Sequence, residues 1–375
     1  MLGHLVPVLG LGRELAQKGH HVSVAAPLPF QKLIEQLGLH FIPVTRGKYP
    51  HHFLQETLDE MDEVLAAHRV DLMICDSALS APAYYAEKHG IPWVSYQTAL
   101  YWPDSSLPGD ARTNARLREQ YRQKLNQLRQ HYGLPLLHDD LRSRGDLAGY
   151  SPDLHLVMVL PALIPRSIPL PESFQVVGPC GLAEEVETKA ASLPTQPQHA
   201  HLFVCTTSAD KPGYREKTDH YLTAVVNAFP DPVMQITILD NPPDGLKHAV
   251  ADKTPSHIRY AGTALRHHQV LPTADVMVTH GGCGTIQKGV LYQIPMLVIS
   301  LGLDHTLLAD HCEQLGLIRQ IKPHELNPET IRQRIKELHQ DADIRHRLKQ
   351  VSSDHGIQQA NQYAAEQIEN KWMRG

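Results

Sequence analysis

Apolar positions along the chain switch repeatedly between a helical and a strand rhythm. Val8, Leu11 and Leu15 recur at helical spacing, with Pro7 suited to a first helical position and Gly19 to an end, which predicts a helix from Pro7 to Lys18. A strand over Val22–Ala26 follows, then a helix over Gln31–Leu37 closed by Gly38, a strand over Phe41–Val44, and a helix marked by Leu54, Leu58, Met61, Val64 and Leu65. Asp71–Cys75 reads as a buried strand, Ser77–His89 as a helix ended by Gly90, and Trp93–Tyr96 as another strand. Helices and strands in alternation with short connections predict a doubly wound parallel sheet.

A long amphipathic helix is predicted over Ala111–Tyr132, with Leu117, Tyr121, Leu125, Leu128 and Tyr132 as its apolar stripe. Its other face carries Arg112, Arg116, Arg118, Arg122, Lys124 and Arg129, read as solvated charge, with a weak interfacial membrane contact as the competing reading. Residues 183–200 are polar, Pro-containing and aperiodic and read as a linker. Beyond it the alternation restarts with strands at Leu202–Cys205, Val233–Ile238, Val276–Thr279 and Met296–Ser300, and with a helix begun by Asn327 and Pro328 through Ile331, Ile335 and Leu338. The expected organisation is a first α/β domain over 1–182, the linker, a second α/β domain over 201–353, and a C-terminal helix over 354–375 packing back on the first domain. A cleft is expected between the domains.

Composition narrows the class. The 375 residues include 42% hydrophobic and 20% charged positions, and with a mean hydropathy of -0.30 they support a substantial core rather than a disordered chain. The apolar run Pro295–Leu303 falls far below the roughly 20 residues needed to span a bilayer. A net charge of -5 argues against a general nucleic-acid binder. Five cysteines without CxxC pairing, and no leader-like start, fit a cytoplasmic setting. The 25 histidines form no HExxH or HxH pattern, so most are read as surface composition and no metal is expected.

The sharpest local signal is VMVTHGGCGT followed by IQKGVLYQ, a strand, a Gly-rich turn at Gly281, Gly282 and Gly284, and a helix. Such a turn offers backbone N–H groups and a helix N-terminus to an anion, with His280 and Thr285 able to add hydrogen bonds. By the residues alone it reads either as a phosphate cradle or as an ordinary strand-to-helix turn. Neither a Walker loop nor a GxGxxG fingerprint is present.

The longer segment VTHGGCGTIQKGVLYQIPMLVISLGLDHTLLA resembles the donor-binding signature of GT-B glycosyltransferases that use nucleotide sugars. The opening GHLVPVLGLGRELAQKGHHVSVAAP and the segment DLMICDSALSAPAYYAEKHGIPWVS are similar to two further motifs of that family, in the same order. The likeness is to the macrolide, plant natural-product and zeaxanthin glucosyltransferases, and it implies two Rossmann-like domains. It also implies His4 as general base and Asp76 as the carboxylate that orients it, both at the carboxyl ends of parallel strands. For His4 the competing reading is a surface residue, for Asp76 a helix cap. The donor residues it implies are Thr207, Ser208, His280, Gly281, Gly282, Gly284, Thr285, Lys288, Asp304 and His305; for Asp304 a loop cap is the alternative. Acceptor contacts are expected over 97–108, with Tyr101 and Trp102 as candidates for stacking or for core.

Several positions depart from the family pattern. Lys288 stands where a ribose-binding glutamate is usual, His305 replaces Gln, Leu308 replaces Asn, Thr207 and Ser208 replace Gly-Ser or Gly-Thr, and Leu265, Arg266 and His267 replace VPQ. In the resembling family a strand precedes the GHxxP motif, so the first strand is expected to be missing here, and a late annotated start is the favoured reading. The implied activity is an inverting, metal-independent transfer of a hexose from UDP-glucose or UDP-galactose, a co-substrate rather than a cofactor, to a hydroxyl of a small lipophilic acceptor. The alternatives are a catalytically weakened homologue acting as a partner or activator of another enzyme and, ranked lower, a sugar-nucleotide epimerase.

Overall fold

The computed structural model describes residues 2–45, 54–100, 110–138, 141–144, 147–166, 169–182, 200–206, 214–241, 255–262, 266–301, 304–353 and 356–372. The helices are α1 (Leu2–Gln17), α2 (Gln31–Gln36), α3 (Leu54–Leu65), α4 (Ser80–His89), α5 (Asp110–His131), α6 (Tyr214–Ala228), α7 (His267–Val270), α8 (Cys283–Leu291), α9 (Asp304–Gln314), α10 (Pro328–Gln340), α11 (Ala342–Ser352) and α12 (Ile357–Trp372). The strands are β1 (Ser23–Ala26), β2 (His40–Pro43), β3 (Met73–Asp76), β4 (Trp93–Gln97), β5 (His155–Val157), β6 (Phe174–Val176), β7 (Ala200–Cys205), β8 (Met234–Leu239), β9 (Ile258–Tyr260), β10 (Val276–Thr279), β11 (Met296–Ile299) and β12 (Ile318–Ile321). Two compact units result, one of Met1–Gly181 with Ile357–Gly375, the other of Leu182–Gly356. The segment read as linker therefore ends one residue early, because Ala200 already pairs in β7.

In the second unit all six strands are parallel and ordered β12-β11-β10-β7-β8-β9. The order reverses between β7 and β10, so the carboxyl ends of these two strands form a topological switch point. Both are buried along almost their whole length, as all-parallel strands covered on two faces must be. Gly289 lets α8 close on this sheet, since a Cβ there would stand 2.3 Å from the Met296 sulfur.

The first unit holds two separate parallel sheets, β1-β2 and β3-β4-β5-β6. In the second unit the first strand, β7, lies between β8 and β10. The matching neighbours here, β1 and β3, have no strand between them among the described residues. The core of the four-stranded sheet joins Leu11 and Leu15 of α1 to Val94, Tyr96 and Leu156. α12 completes it with Ala360, Ala364, Ala365 and Ile368, spaced so that one narrow face meets the sheet. The Asn361 side chain brackets the Gly181 peptide, accepting from its N–H at 3.1 Å and donating to its oxygen at 2.8 Å. Gly10 must be glycine, because a Cβ would sit 1.9 Å from the Gly181 oxygen.

Two expectations are corrected. α1 begins at Leu2 rather than Pro7, so Pro7 lies inside the helix and withholds a donor from the Gly3 carbonyl. Arg129 is not on a solvated face but only 1% exposed. Its guanidinium donates to Glu87 at 2.6 and 2.8 Å and lies 4.8 Å from the Tyr84 ring centre, while Arg142 reaches the same carboxylate at 3.0 Å. Burial alone would raise the Glu87 pKa, but the two guanidiniums outweigh it and hold the carboxyl below its ordinary value. Among the described residues no helix is long and apolar enough to cross a membrane.

Candidate active site

In the first unit, Asp76 is the last residue of β3 and 6% exposed. His4 lies in the first turn of α1, not in a strand-end loop as expected, because the helix reaches back to Leu2. The two meet across 72 residues of sequence with His4 Nδ1 at 2.6 Å from Asp76 Oδ2. The other carboxylate oxygen accepts the Ala78 N–H at 3.0 Å, so Asp76 makes a local turn contact and the histidine contact at once. Tyr96 donates its hydroxyl to the His4 carbonyl at 3.3 Å. Burial, and next the Asp76 charge, push the Tyr96 pKa well above its ordinary value, so it stays a donor. A histidine that gives its Nδ1 proton to a carboxylate carries its basic lone pair on Nε2, the arrangement that suits proton abstraction. Nothing in the sequence pattern singled out Tyr96, which reads as one more buried strand residue.

Beside this pair, Gln97 ends β4 within a closed polar chain. The Ser151 N–H donates to Ser95 Oγ at 2.7 Å, the Ser95 hydroxyl reaches His155 Nδ1 at 2.7 Å, His155 Nε2 meets Gln97 Oε1 at 2.9 Å, and Gln97 Nε2 donates to the Ala99 carbonyl at 2.9 Å. Gln97 can only accept from His155 if its amide faces Ala99, so the imidazole donates from Nε2 and accepts at Nδ1. Complete burial lowers the His155 pKa to about 3.

In the second unit, His280 follows β10 directly and Gly282 is the N-cap of α8. Gly281 has φ +91°, and a Cβ there would meet Val298 Cγ1 at 2.9 Å, so both conformation and space require glycine. At Gly282 a Cβ would stand 2.6 Å from His280 Nε2, so the imidazole lies directly over the helix N-cap. The His280 and His305 rings meet edge to face at 4.9 Å. Burial first, then His305 and His267, push the His280 pKa to about 3, which makes it a neutral hydrogen-bonding group and not a cation. It is 7% exposed, and its Nδ1 has no hydrogen-bond partner among the described residues.

The buried Thr285 donates its N–H to the Gly282 carbonyl at 2.9 Å. Gly284 is exposed, and Lys288 is half-buried one turn further along α8. Asp304 opens α9, although its side chain lies outside the described set, as do Thr207, Ser208, Tyr101, Trp102 and Leu265. Among the described residues no group of three or more His, Cys, Asp or Glu is placed to hold a metal. Among the described residues the buried histidines are His155, His201, His257 and His280.

Residues 242–370 match the family described as Erythromycin biosynthesis protein CIII-like, C-terminal domain. The chain is 22% identical to the NDP-glycosyltransferase YjiC of Bacillus subtilis (strain 168), covering 94% of this chain and 90% of that protein. It is 21% identical to 4'-demethylrebeccamycin synthase of Lentzea aerocolonigenes, covering 89% of this chain and 88% of that one. The solved glycotransferase of kitacinnamycin shares the fold with a TM-score of 0.81 at 22% identity, over 99% of this chain and 97% of its own. The fold is the GT-B fold of solved glycosyltransferases, and along most of its length the chain is similar to a protein named as a glycosyltransferase.

Proposed function

We propose that this glycosyltransferase moves a hexose from a nucleotide sugar, UDP-glucose or UDP-galactose, to a hydroxyl of a small lipophilic acceptor with inversion at the anomeric carbon. The observation that carries the reading is the 2.6 Å contact between His4 and the buried Asp76. An alcohol is a poor nucleophile until its proton is taken, and an imidazole held by a carboxylate takes it at Nε2 while the carboxylate stabilises the imidazolium. As the acceptor oxygen bonds to the anomeric carbon, the bond from that carbon to the diphosphate breaks and its electron pair leaves with the nucleoside diphosphate. Backbone N–H groups at the start of α8 and the neutral His280 suit the departing phosphate oxygens, by hydrogen bonds aimed where charge develops. A relative named as an NDP-glycosyltransferase supports the donor class.

The donor test is thermal denaturation with UDP-glucose, UDP-galactose and thymidine-diphosphate sugars at increasing concentration. A ligand that binds only the native state raises the midpoint with its concentration, so a UDP-hexose should do so most strongly. No response to any nucleotide sugar by a folded protein would remove the reading and favour the non-catalytic binding homologue.

A further inference from the structure

α1 is gripped by packing along its later turns. Leu9, Leu11 and Leu15 are buried, and Gly10 lies against the Gly181 carbonyl. Ahead of them Gly3 is exposed and residues 4–8 are half-buried. The first four N–H groups of a helix have no intrahelical partner, so a first turn that is not buried tends to fray. Pro7 adds to this, because it offers no N–H to the Gly3 carbonyl. His4, whose imidazole meets Asp76 at 2.6 Å, therefore stands on a turn that the helix itself secures weakly.

Tyr96 reaches that turn and also borders Asp76. It is 5% exposed and stands opposite Asp76 in the parallel register of β3 and β4. Its backbone carbonyl accepts the N–H of Ser77, the residue after Asp76, at 2.9 Å. Its hydroxyl donates to the His4 carbonyl at 3.3 Å. A carbonyl oxygen has two lone pairs, so it can take this bond alongside a helical one. The Tyr96 ring belongs to the core that joins Leu11 and Leu15 to the four-stranded sheet, and close packing there holds the hydroxyl in one place. One residue thus spans from the strand ladder beside the carboxylate to the helix turn that carries the imidazole.

We propose that Tyr96 is a positioning residue for the base, its hydroxyl holding the first turn of α1 against β4 so that His4 stays paired with Asp76. The proposal rests on the reading of His4 as the base and deepens it. In the transfer step the acceptor proton passes to His4, the acceptor oxygen bonds to the anomeric carbon, and the nucleoside diphosphate leaves with the electron pair of the broken bond. Tyr96 neither gives nor takes a proton in that step. It acts through His4, by keeping the imidazole turned toward the carboxylate, and a base displaced by about 1 Å can lose a large part of its effect.

The test uses the full chain with Tyr96→Phe, which removes the hydroxyl and keeps the ring, and with His4→Ala, each alone and the two combined. Proton NMR on protein carrying isotope-labelled histidine, with no ligand added, reads the Nδ1 proton that His4 shares with Asp76, assigned by its absence from His4→Ala. That signal should be sharp in the wild type and lost to exchange with water in Tyr96→Phe, while urea unfolding shows the variant folded. A signal unchanged by Tyr96→Phe would overturn the proposal. In acceptor-dependent release of UDP from UDP-glucose, with small phenols as acceptors, Tyr96→Phe should lower kcat about 5- to 50-fold and leave donor KM within about twofold. Added to His4→Ala, it should cost less than about a further twofold, because the group it positions is already gone. Equal losses in the two backgrounds would mark a general structural role and overturn the proposal. Transfer at the wild-type rate by His4→Ala, with the shared proton still lost in Tyr96→Phe, would instead remove the reading of His4 as base and leave the hold of Tyr96 on the turn standing.

Discussion

His155 gives the first unit a built-in sensitivity to acid. The side chain is 0% exposed and held at both nitrogens, by Ser95 at 2.7 Å and Gln97 at 2.9 Å. A second ring proton on Nδ1 would force the Ser95 hydroxyl to turn from donor to acceptor, and burial lowers the pKa from 6.5 to about 3. The sign follows from proton counting. Below 6.5 the unfolded chain binds a proton that the folded chain refuses, so stability is fully present above 6.5 and is lost as pH falls from there toward 3. At about 1.36 kcal/mol per pH unit, acidification from about pH 7 to about pH 4.5 removes about 2.5 kcal/mol through this one residue.

His155→Gln keeps a donor and an acceptor in place and cannot titrate. The assay is urea unfolding at the two pH values, followed by tryptophan fluorescence. All three tryptophans, Trp93, Trp102 and Trp372, belong to the first unit, so the signal reports that unit alone. The wild type should lose about 2.5 kcal/mol more than the variant on acidification. An acid loss equal in the two proteins would refute the reasoning, since the proton would then be binding elsewhere.

Further outcomes follow from other contacts. Glu87→Gln should cost about 3 kcal/mol at neutral pH, since it leaves the Arg129 guanidinium buried without its counter-charge, and urea unfolding measures this directly. Because the Glu87 pKa is depressed, its contribution is present above the ordinary value of 4.5 and lost as pH falls through the folded value, so wild type and variant should converge in acid. Gly281→Ala should destabilise the second unit by about 2 to 4 kcal/mol through the positive φ and the Val298 clash, and should abolish nucleotide binding in calorimetry; wild-type affinity in that variant would contradict the role given to the turn. Asp76→Asn should lower kcat of transfer by about 100-fold or more, since the amide would donate to His4 Nδ1 and force the proton onto Nε2, with little change in donor KM.

Much of this architecture is legible in the sequence where a period runs long enough. Ile331, Ile335 and Leu338 mark α10, and Val276–Thr279 coincides with β10, because buried strands and amphipathic helices leave continuous patterns. The three-residue strands β5, β6 and β9 are too short to carry a period, and it is neighbouring strands rather than their own residues that define them. Arg129 lies four residues after the buried Leu125, so helix phase alone could have placed it inward. What phase cannot supply is Glu87, 42 residues upstream, which makes burial of the guanidinium affordable. The same limit applies to the site. His4, Asp76 and the Gly-rich turn stand out by motif, whereas Tyr96, His267 and the chain from Ser151 to Ala99 depend on contacts between distant segments.

The central claim is that His4, oriented by Asp76, removes the acceptor's proton during transfer from a nucleotide sugar. It is tested most directly by measuring acceptor-dependent release of nucleoside diphosphate in wild type and His4→Ala, with donor affinity measured on both proteins by calorimetry. In His4→Ala kcat should fall by about 100- to 10,000-fold while donor affinity stays within about twofold. Transfer by His4→Ala at the wild-type rate would contradict it.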